Sequence, residues 1–285
     1  MRAAAILGPG NFSKWVAKFR RVKDAEWSSD LSRSIDAAVI FGGDGTIHRH
    51  LSTLVELKVP VLVVPCGSGN DFARALKLRS VDDSLNAWHA FVTGKRNVRD
   101  IDLGIIRESK AGGAPAPHEY FCCVAGVGID TGIVRRANAL PKWIRSHGGY
   151  ALSAPREFLR FSPLPMKISC DKATTSNFQP TILGAFANAP TYGGGMKIAP
   201  QAKLDDGKLD ICIVRDMGRF KLFCLFPTVY FGRHLIFGEV EYAQAETAKL
   251  ETAYPLDIYA DGEYICQTPV EFSVARGALQ VIVPE

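Results

Sequence analysis

Residues 37–46 read Ala37-Ala38-Val39-Ile40-Phe41-Gly42-Gly43-Asp44-Gly45-Thr46, and residues 60–71 read Pro60-Val61-Leu62-Val63-Val64-Pro65-Cys66-Gly67-Ser68-Gly69-Asn70-Asp71. Each stretch is an unbroken apolar run that stops at glycines, the pattern of a parallel strand buried on both faces. Helical spacing follows each one. Ile47, Leu51, Leu54 and Val55 share a face, and Phe72 to Leu78 continues the second unit. Two such units in succession imply a parallel sheet with right-handed crossovers. In open parallel sheets the ligand crevice lies at the carboxyl ends of the strands, where both loops fall. Glycines there leave backbone N–H groups unshielded, so a phosphate chain can approach the main chain, and the helix behind each loop turns its N-terminal dipole to the same place. A tight capped turn accounts for either loop taken alone. Two on neighbouring units point to one nucleotide held from both sides. No Gly-Lys-Ser/Thr follows and no G-x-G-x-x-G is present, so neither a Walker A loop nor a dinucleotide fingerprint is at hand.

Outward from this pair, Ala3 to Leu7 is another short apolar run, Ser13 to Arg21 is a helix candidate, and Ser80 with Asp83 forms a capping box for a helix through Leu85, Trp88 and Val92. Beyond residue 97 the period changes. Runs of β character follow at Val98–Arg107, Tyr120–Ile129, Met166–Cys170, Ile182–Asn188, Leu209–Val214, Leu256–Ala260, Tyr264–Gln267, Val270–Val274 and Leu279–Val283. Helical character returns at Pro141–Phe161 and Phe220–Phe237, and Ala111–Pro117 reads as a hairpin loop. The expected fold class is α/β plus β: a parallel α/β nucleotide-binding domain over residues 1–100, then a mostly antiparallel, β-sandwich-like domain over residues 101–285 whose final strand can return to the first.

The chain has 285 residues, 47% hydrophobic and 22% charged, with a net charge of +5. That balance suits anionic partners such as ATP or an acidic membrane surface and falls far short of the basic stripe of a nucleic-acid binder. Its seven cysteines are odd in number and scattered, with no C-x-x-C pair, which argues against a zinc site or disulfide framework and for a reducing compartment. His48 and His50 stand two apart on a helix and so face different ways. No stretch approaches the roughly 18 unbroken apolar residues of a membrane span. A cytoplasmic protein, peripheral at the inner membrane face at most, is the expectation.

Gly42-Gly43-Asp44-Gly45-Thr46 followed by Pro65-Cys66-Gly67-Ser68-Gly69-Asn70-Asp71-Phe72-Ala73-Arg74 resembles the bacterial diacylglycerol kinase family, which includes sphingosine and ceramide kinases. The first motif is shared with NAD kinases and phosphofructokinases; the pair is far more specific. The likeness continues through Val124–Asp130, Asn188–Met196, Ile198–Pro200 and Leu204–Asp210 to Asp261-Gly262-Glu263, nearly the whole chain. The resemblance implies a cleft between the halves and two substrates, ATP with Mg2+ and a lipid alcohol met at a transient membrane surface. By it, Gly42, Gly43, Asp44, Gly45, Thr46 and Ile47 with Gly67, Ser68, Gly69, Asn70 and Asp71 bind ATP. Asp206 with backbone groups of Lys203 and Lys208 holds a structural magnesium. Asp102 joins the catalytic metal network through water, and Glu263, with Asp261 beside it, accepts the proton of the alcohol. The residue types suit phosphoryl transfer, which needs positioning and charge neutralisation more than covalent help.

The chain departs from that family at Leu7-Gly8-Pro9-Gly10-Asn11, where an N-P-x-S-G loop is usual, and at Cys123, where an Asn is common. A thiol replaces neither the donor nor the acceptor of an amide. The alternatives are therefore an NAD kinase-like enzyme, which shares GGDGT, and a non-catalytic nucleotide- or lipid-binding relative. Trp143, Ile144 and Tyr150 beside Lys142 and Arg145, and Phe220–Phe237 with Arg219 and Lys221, are the two segments suited to a membrane interface. Exposed strand edges in the second half leave a homodimer open.

Overall fold

Four parallel strands, β1 (Arg2–Leu7), β2 (Glu26–Ser28), β3 (Ala37–Gly42) and β4 (Val61–Pro65), lie in the order β2-β1-β3-β4 in a computed structural model that describes residues 1–22, 25–109, 117–139, 156–171 and 177–285. All six residues of β3 are buried, as its unbroken apolar run requires of an inner strand covered on both faces. The covering helices are α1 (Ser13–Arg20), α2 (Asp44–His48), α3 (Leu51–Leu57), α4 (Asp71–Ala75) and α5 (Val81–Val92). Ser80 and Asp83 close the expected capping box on α5, with Asp83 N–H to Ser80 Oγ at 3.0 Å and Ser80 N–H to Asp83 Oδ2 at 2.9 Å. One helix was expected through Ile47–Val55, and two are found. At His50 the bonding tightens to the third residue back, His50 N–H to Ile47 O at 2.9 Å, while Ile47, Leu51 and Leu54 stay on the buried face.

The second half contains β5 (Val98–Glu108), β6 (His118–Phe121), β7 (Val124–Gly128), α6 (Ile129–Ala139), β8 (Leu164–Cys170), β9 (Gln179–Ala187), β10 (Leu209–Arg215), α7 (Arg219–Val229), β11 (Val240–Ala245), β12 (Thr247–Thr252), β13 (Asp257–Ala260), β14 (Glu263–Gln267) and β15 (Val270–Ile282). The antiparallel path runs β14-β13-β7-β9-β8-β12-β15. Between its layers Phe186 stacks on Phe272, ring centroids 3.8 Å apart, among Ile106, Phe121, Met166 and Leu250. Each such side chain, fully buried, stabilises by about 1.5–3 kcal/mol.

Two expected strands near the C-terminus are one. β15 pairs with β5 along its whole length, shifts register between Ala275 and Leu279, and meets β4 in parallel at Val281–Val61. Gly277 sits in that bulge at φ +56°, which turns the strand from one half's sheet into the other's. Conversely, the single strand expected over Tyr120–Ile129 is two, β6 on β5 and β7 on β9 and β13, divided at Cys122–Cys123. The short edge strand β2, the polar edge strand β11 and the inner strand β12 carried no clear sequence signal. The Ala111–Ala116 loop and most of the 141–161 helix, with Trp143, Ile144 and Tyr150, lie outside the described residues; a helical turn at 156–160 lies within them.

Candidate active site

The two glycine loops touch. A Cβ on Gly43 would lie 2.9 Å from the Gly67 Cα, and one on Gly67 would lie 2.8 Å from the Gly43 nitrogen. Only paired glycines allow this approach, which is fixed by Cys66 N–H to Gly42 O at 3.0 Å. Asn70, in the left-handed region at φ +55°, turns its amide inward. It accepts from Gly67 N–H and donates to Gly67 O, both at 2.8 Å, so it braces the loop instead of offering a loose donor. Ser68 is exposed at the tip. Gly8 joins the same floor, since a Cβ there, as on Gly42, would stand 2.5 Å from Thr46 Oγ1. The altered first loop therefore keeps its close backbone approach. Ile47 is wholly buried in the core and lines no cleft. With five residues each, α2 and α4 bring less dipole to the loops than full helices would.

Asp44 takes the role that the position of Asp71 implies. Asp71 stands first in α4, yet Asp44 caps that helix from the neighbouring unit, its Oδ2 and Oδ1 accepting Asp71 and Phe72 N–H at 3.0 Å each. Released from capping, Asp71 accepts Arg74 Nη1 at 2.5 Å and Gly194 N–H, from the second half, at 2.7 Å. Gly193, Gly194 and Gly195 all have positive φ, a run that side chains would strain. Burial, with the nearby Asp71 charge, pushes the Asp44 carboxyl up to about 7. Burial also raises Asp71, opposed by Gly194 N–H and by Arg74.

The second half brings its carboxylates to this floor on a hairpin. β13 and β14 are joined by Asp261 and Gly262, both at positive φ (+52° and +87°), a two-residue turn of the primed kind. Just past it, Glu263 lies over the first loop: a Cβ on Gly45 would be 2.7 Å from Glu263 Oε1. Asp261 points the other way and is buried. Its carboxylate accepts Cys122 and Cys123 N–H at 2.8 Å each and meets His48 Nδ1, on α2, at 3.2 Å. Burial lowers the His48 pKa, but the hydrogen bond and charge of Asp261, with Glu263 and Glu119, outweigh it and leave the imidazole above its ordinary value. Asp261 therefore ties the halves together. The Cys122 and Cys123 thiols also reach this carboxylate's surroundings, and burial pushes the Cys122 thiol up to about 12.

Asp102 is fully engaged. Gly207 N–H and Gly277 N–H donate to its two carboxylate oxygens at 2.7 and 2.8 Å, and its own N–H donates to Leu204 O at 2.6 Å. Its backbone carbonyl is tied to the start of β7 by an amide: Asn188 Nδ2 donates to Asp102 O at 2.9 Å and to Cys122 O at 3.2 Å. In the turn that Asp102 anchors, half-buried Asp206 accepts Lys208 N–H at 3.1 Å, and Lys203 and Lys208 are exposed. Among the described residues no hydrogen bond or ion pair joins Asp206, Lys203 or Lys208 to a glycine loop. His48 and Asn188 are the participants that motif reading missed. His48 stands four residues after Asp44, on one face of α2, which was the available signal.

A second feature sits under α7. Ile129, Ile133, Ile182, Leu222, Leu225 and Phe226 line an apolar hollow of about 40 Å³. His234 and a polar pair face it: Tyr192 hydroxyl donates to Asp130 Oδ1 at 3.1 Å, and burial pushes that acid up to about 7. Ligand pockets typically measure about 300–1,000 Å³, so an acyl chain would have to displace part of this lining.

Comparison with known proteins agrees with this geometry. The family model described as the diacylglycerol kinase catalytic domain matches residues 16–106, and that described as the YegS C-terminal NAD kinase beta sandwich-like domain matches residues 123–283. A diacylglycerol kinase of Mycobacterium tuberculosis is 32% identical over 260 residues, covering 89% of this chain and 79% of the relative. The diacylglycerol kinase of Bacillus subtilis is 27% identical over 255 residues, with the same two coverages. Among solved structures, a diacylglycerol kinase from Bacillus anthracis superposes with a TM-score of 0.69 at 19% identity, covering 99% of this chain and 96% of the other. An NAD kinase from Archaeoglobus fulgidus in complex with ATP superposes with a TM-score of 0.55 at 13% identity, covering 100% and 94%. These last two show the shared fold. With both halves matched in order by the two family models, the chain belongs to the diacylglycerol kinase family of lipid kinases.

Proposed function

We propose that the protein transfers the γ-phosphate of ATP to the hydroxyl of a lipid such as diacylglycerol, with Glu263 taking the hydroxyl proton. The observation that carries this reading is the position of Glu263 Oε1 over Gly45, beside the contact of Gly43 with Gly67. A phosphate chain laid on that bare main chain has a carboxylate facing it from the other half. The acceptor oxygen bonds to the γ-phosphorus, the bond to the bridging oxygen breaks, ADP leaves, and the proton passes to the carboxylate. His48 and Asp261 fix the hairpin that carries Glu263; Asp71 and Gly194 hold the opposite wall.

Magnesium suits the oxygen-donor chemistry of two places: the turn holding Asp206 with the Lys203 and Lys208 backbone, and the cleft floor, where burial and a neighbouring acid leave Asp44 gaining from a nearby cation. When bound, the ion would neutralise phosphate charge. The apolar hollow below α7, with Asp130 and Tyr192 at its polar end, would admit a lipid tail once part of its lining moves aside.

The test is incubation with magnesium-ATP and a panel of diacylglycerol, ceramide, a sphingoid base, phosphatidylglycerol and a polyprenyl alcohol, with NAD in a parallel reaction, read by mass spectrometry. A lipid phosphate is expected, and Glu263→Gln is expected to lower kcat by about 10²–10⁴-fold with ATP binding retained. Product from NAD alone would favour the NAD kinase reading, which shares this fold. No turnover on any acceptor would leave a binding protein.

A further inference from the structure

Helix α7 is apolar on two opposite faces. Leu222, Leu225 and Val229 are buried and, with Phe226, line the hollow. On the other side Phe220, Cys224 and Pro227, spaced i, i+4 and i+7, are exposed, and Phe231, in the turn just past the helix, extends the stripe. Phe220 is 83% and Phe231 73% exposed, and Ile236, in the 3₁₀ turn that follows (His234–Ile236), is 79% exposed. These are among the most exposed large apolar side chains described, and they cluster on one short segment. A helix apolar all round belongs inside a protein or against lipid.

The charges around the stripe decide which. Arg219 and Lys221 stand at one end; Arg233 and Lys197 stand at the other, where Lys197 N–H bonds to Val229 O at 3.0 Å and its Cβ lies beside Gly232. Two acids lie nearby: Glu239 is paired with Lys221 at 2.5 Å, and Asp216 is exposed. Aromatic side chains bracketed by cations fit a surface of anionic headgroups over hydrocarbon, into which an interfacial helix sinks its apolar face. Among the described residues no helix is long and apolar enough to cross a membrane.

We propose that the Phe220–Ile236 segment docks the protein on an anionic lipid bilayer, with the Phe220/Phe231 stripe in the headgroup–acyl boundary. One helix then has the bilayer on its outer face and the apolar hollow on its inner face, so a lipid passing beneath α7 exchanges one apolar surface for another. This last clause rests on the lipid-kinase reading; the docking itself does not.

The two are separated by running two assays on the full chain. Sucrose-loaded vesicles of phosphatidylcholine, with and without phosphatidylglycerol, report binding by co-sedimentation. Short-chain, water-dispersible diacylglycerol with magnesium-ATP reports turnover without a bilayer. The Phe220→Ser/Phe231→Ser protein is expected to lose about tenfold or more in partitioning to the anionic vesicles, equivalent to about 1.4 kcal/mol. Its melting temperature and its turnover of the dispersed acceptor should match the parent's. Arg219→Gln/Arg233→Gln should lose the preference for phosphatidylglycerol, and binding by the parent should weaken with salt. A parent that ignores vesicles overturns the proposal, as does a serine variant that stays folded and binds them undiminished. A stripe whose loss splits a dimer while vesicle binding persists overturns it in favour of a second copy of the chain. If vesicle binding falls as expected while no acceptor is phosphorylated, the docking face stands and the kinase reading fails.

Discussion

Gly43 and Gly67 have no room for side chains because each occupies the space the other's Cβ would need. Replacing Gly67 by Ala must therefore push the two loops apart. A cost of about 1–3 kcal/mol is the usual range for overpacking, and calorimetry should show ATP affinity reduced about tenfold or more; unchanged affinity would mean that the loops do not cradle the nucleotide. Asp130 makes a different prediction. Its folded pKa of about 7 lies above the ordinary 3.8 because burial disfavours the charged form. The folded state thus binds the proton more tightly. Its contribution to stability is fully present below pH 3.8, declines as pH rises, and is lost by about pH 7. Asp44, also raised, titrates in the same window, so the informative quantity is the difference between parent and Asp130→Asn. The variant should lose less melting temperature between pH 5 and 8, by about 2–4 °C for each kcal/mol relieved.

At the scale of elements, one turn and one bulge aim the chemistry. Asp-Gly is an ordinary hairpin signal, and the local sequence at Asp261-Gly262 specifies no more than such a turn. What local sequence leaves open is that the turn's carboxylate would take the two N–H groups where β6 breaks from β7, and so set Glu263 over the first loop. The β15 bulge acts similarly on the opposite side. Gly277 holds φ +56° and donates to Asp102, and a Cβ there would meet only the Asp100 Cβ at an ordinary 3.9 Å. Gly277→Ala should consequently cost backbone strain without a clash, about 1–2 kcal/mol, with Gly277→Asn costing less, both read from urea unfolding midpoints.

Over the whole molecule, the halves share strands as well as side-chain contacts. β15 lies along β5 and reaches β4, and the pairs His48–Asp261 and Asp71–Gly194 cross from one half to the other. Three of the four tryptophans, Trp15, Trp27 and Trp88, lie in the first half, so their fluorescence reports that half while far-UV circular dichroism reports both. The two signals should fall together in one urea transition. Separate midpoints would show that the shared strands do not couple the halves.

Period and punctuation in the sequence were enough for the α/β character of the first half, its strands β1, β3 and β4 and the two glycine loops, because unbroken apolar runs ending in glycine have few other solutions; the short strand β2 and the break between α2 and α3 left no such mark. Period and punctuation were enough, too, for the family, through two motifs in register. They did not reveal which carboxylate does what. Asp44 and Asp71, or Asp261 and Glu263, are alike as residues, and each pair is divided only by which N–H groups and cations the folded chain brings within about 3 Å, the reach of a hydrogen bond. That proximity joins positions as distant as His48 and Asp261, a separation over which local sequence carries no geometric information, and only the packed sheet supplies it.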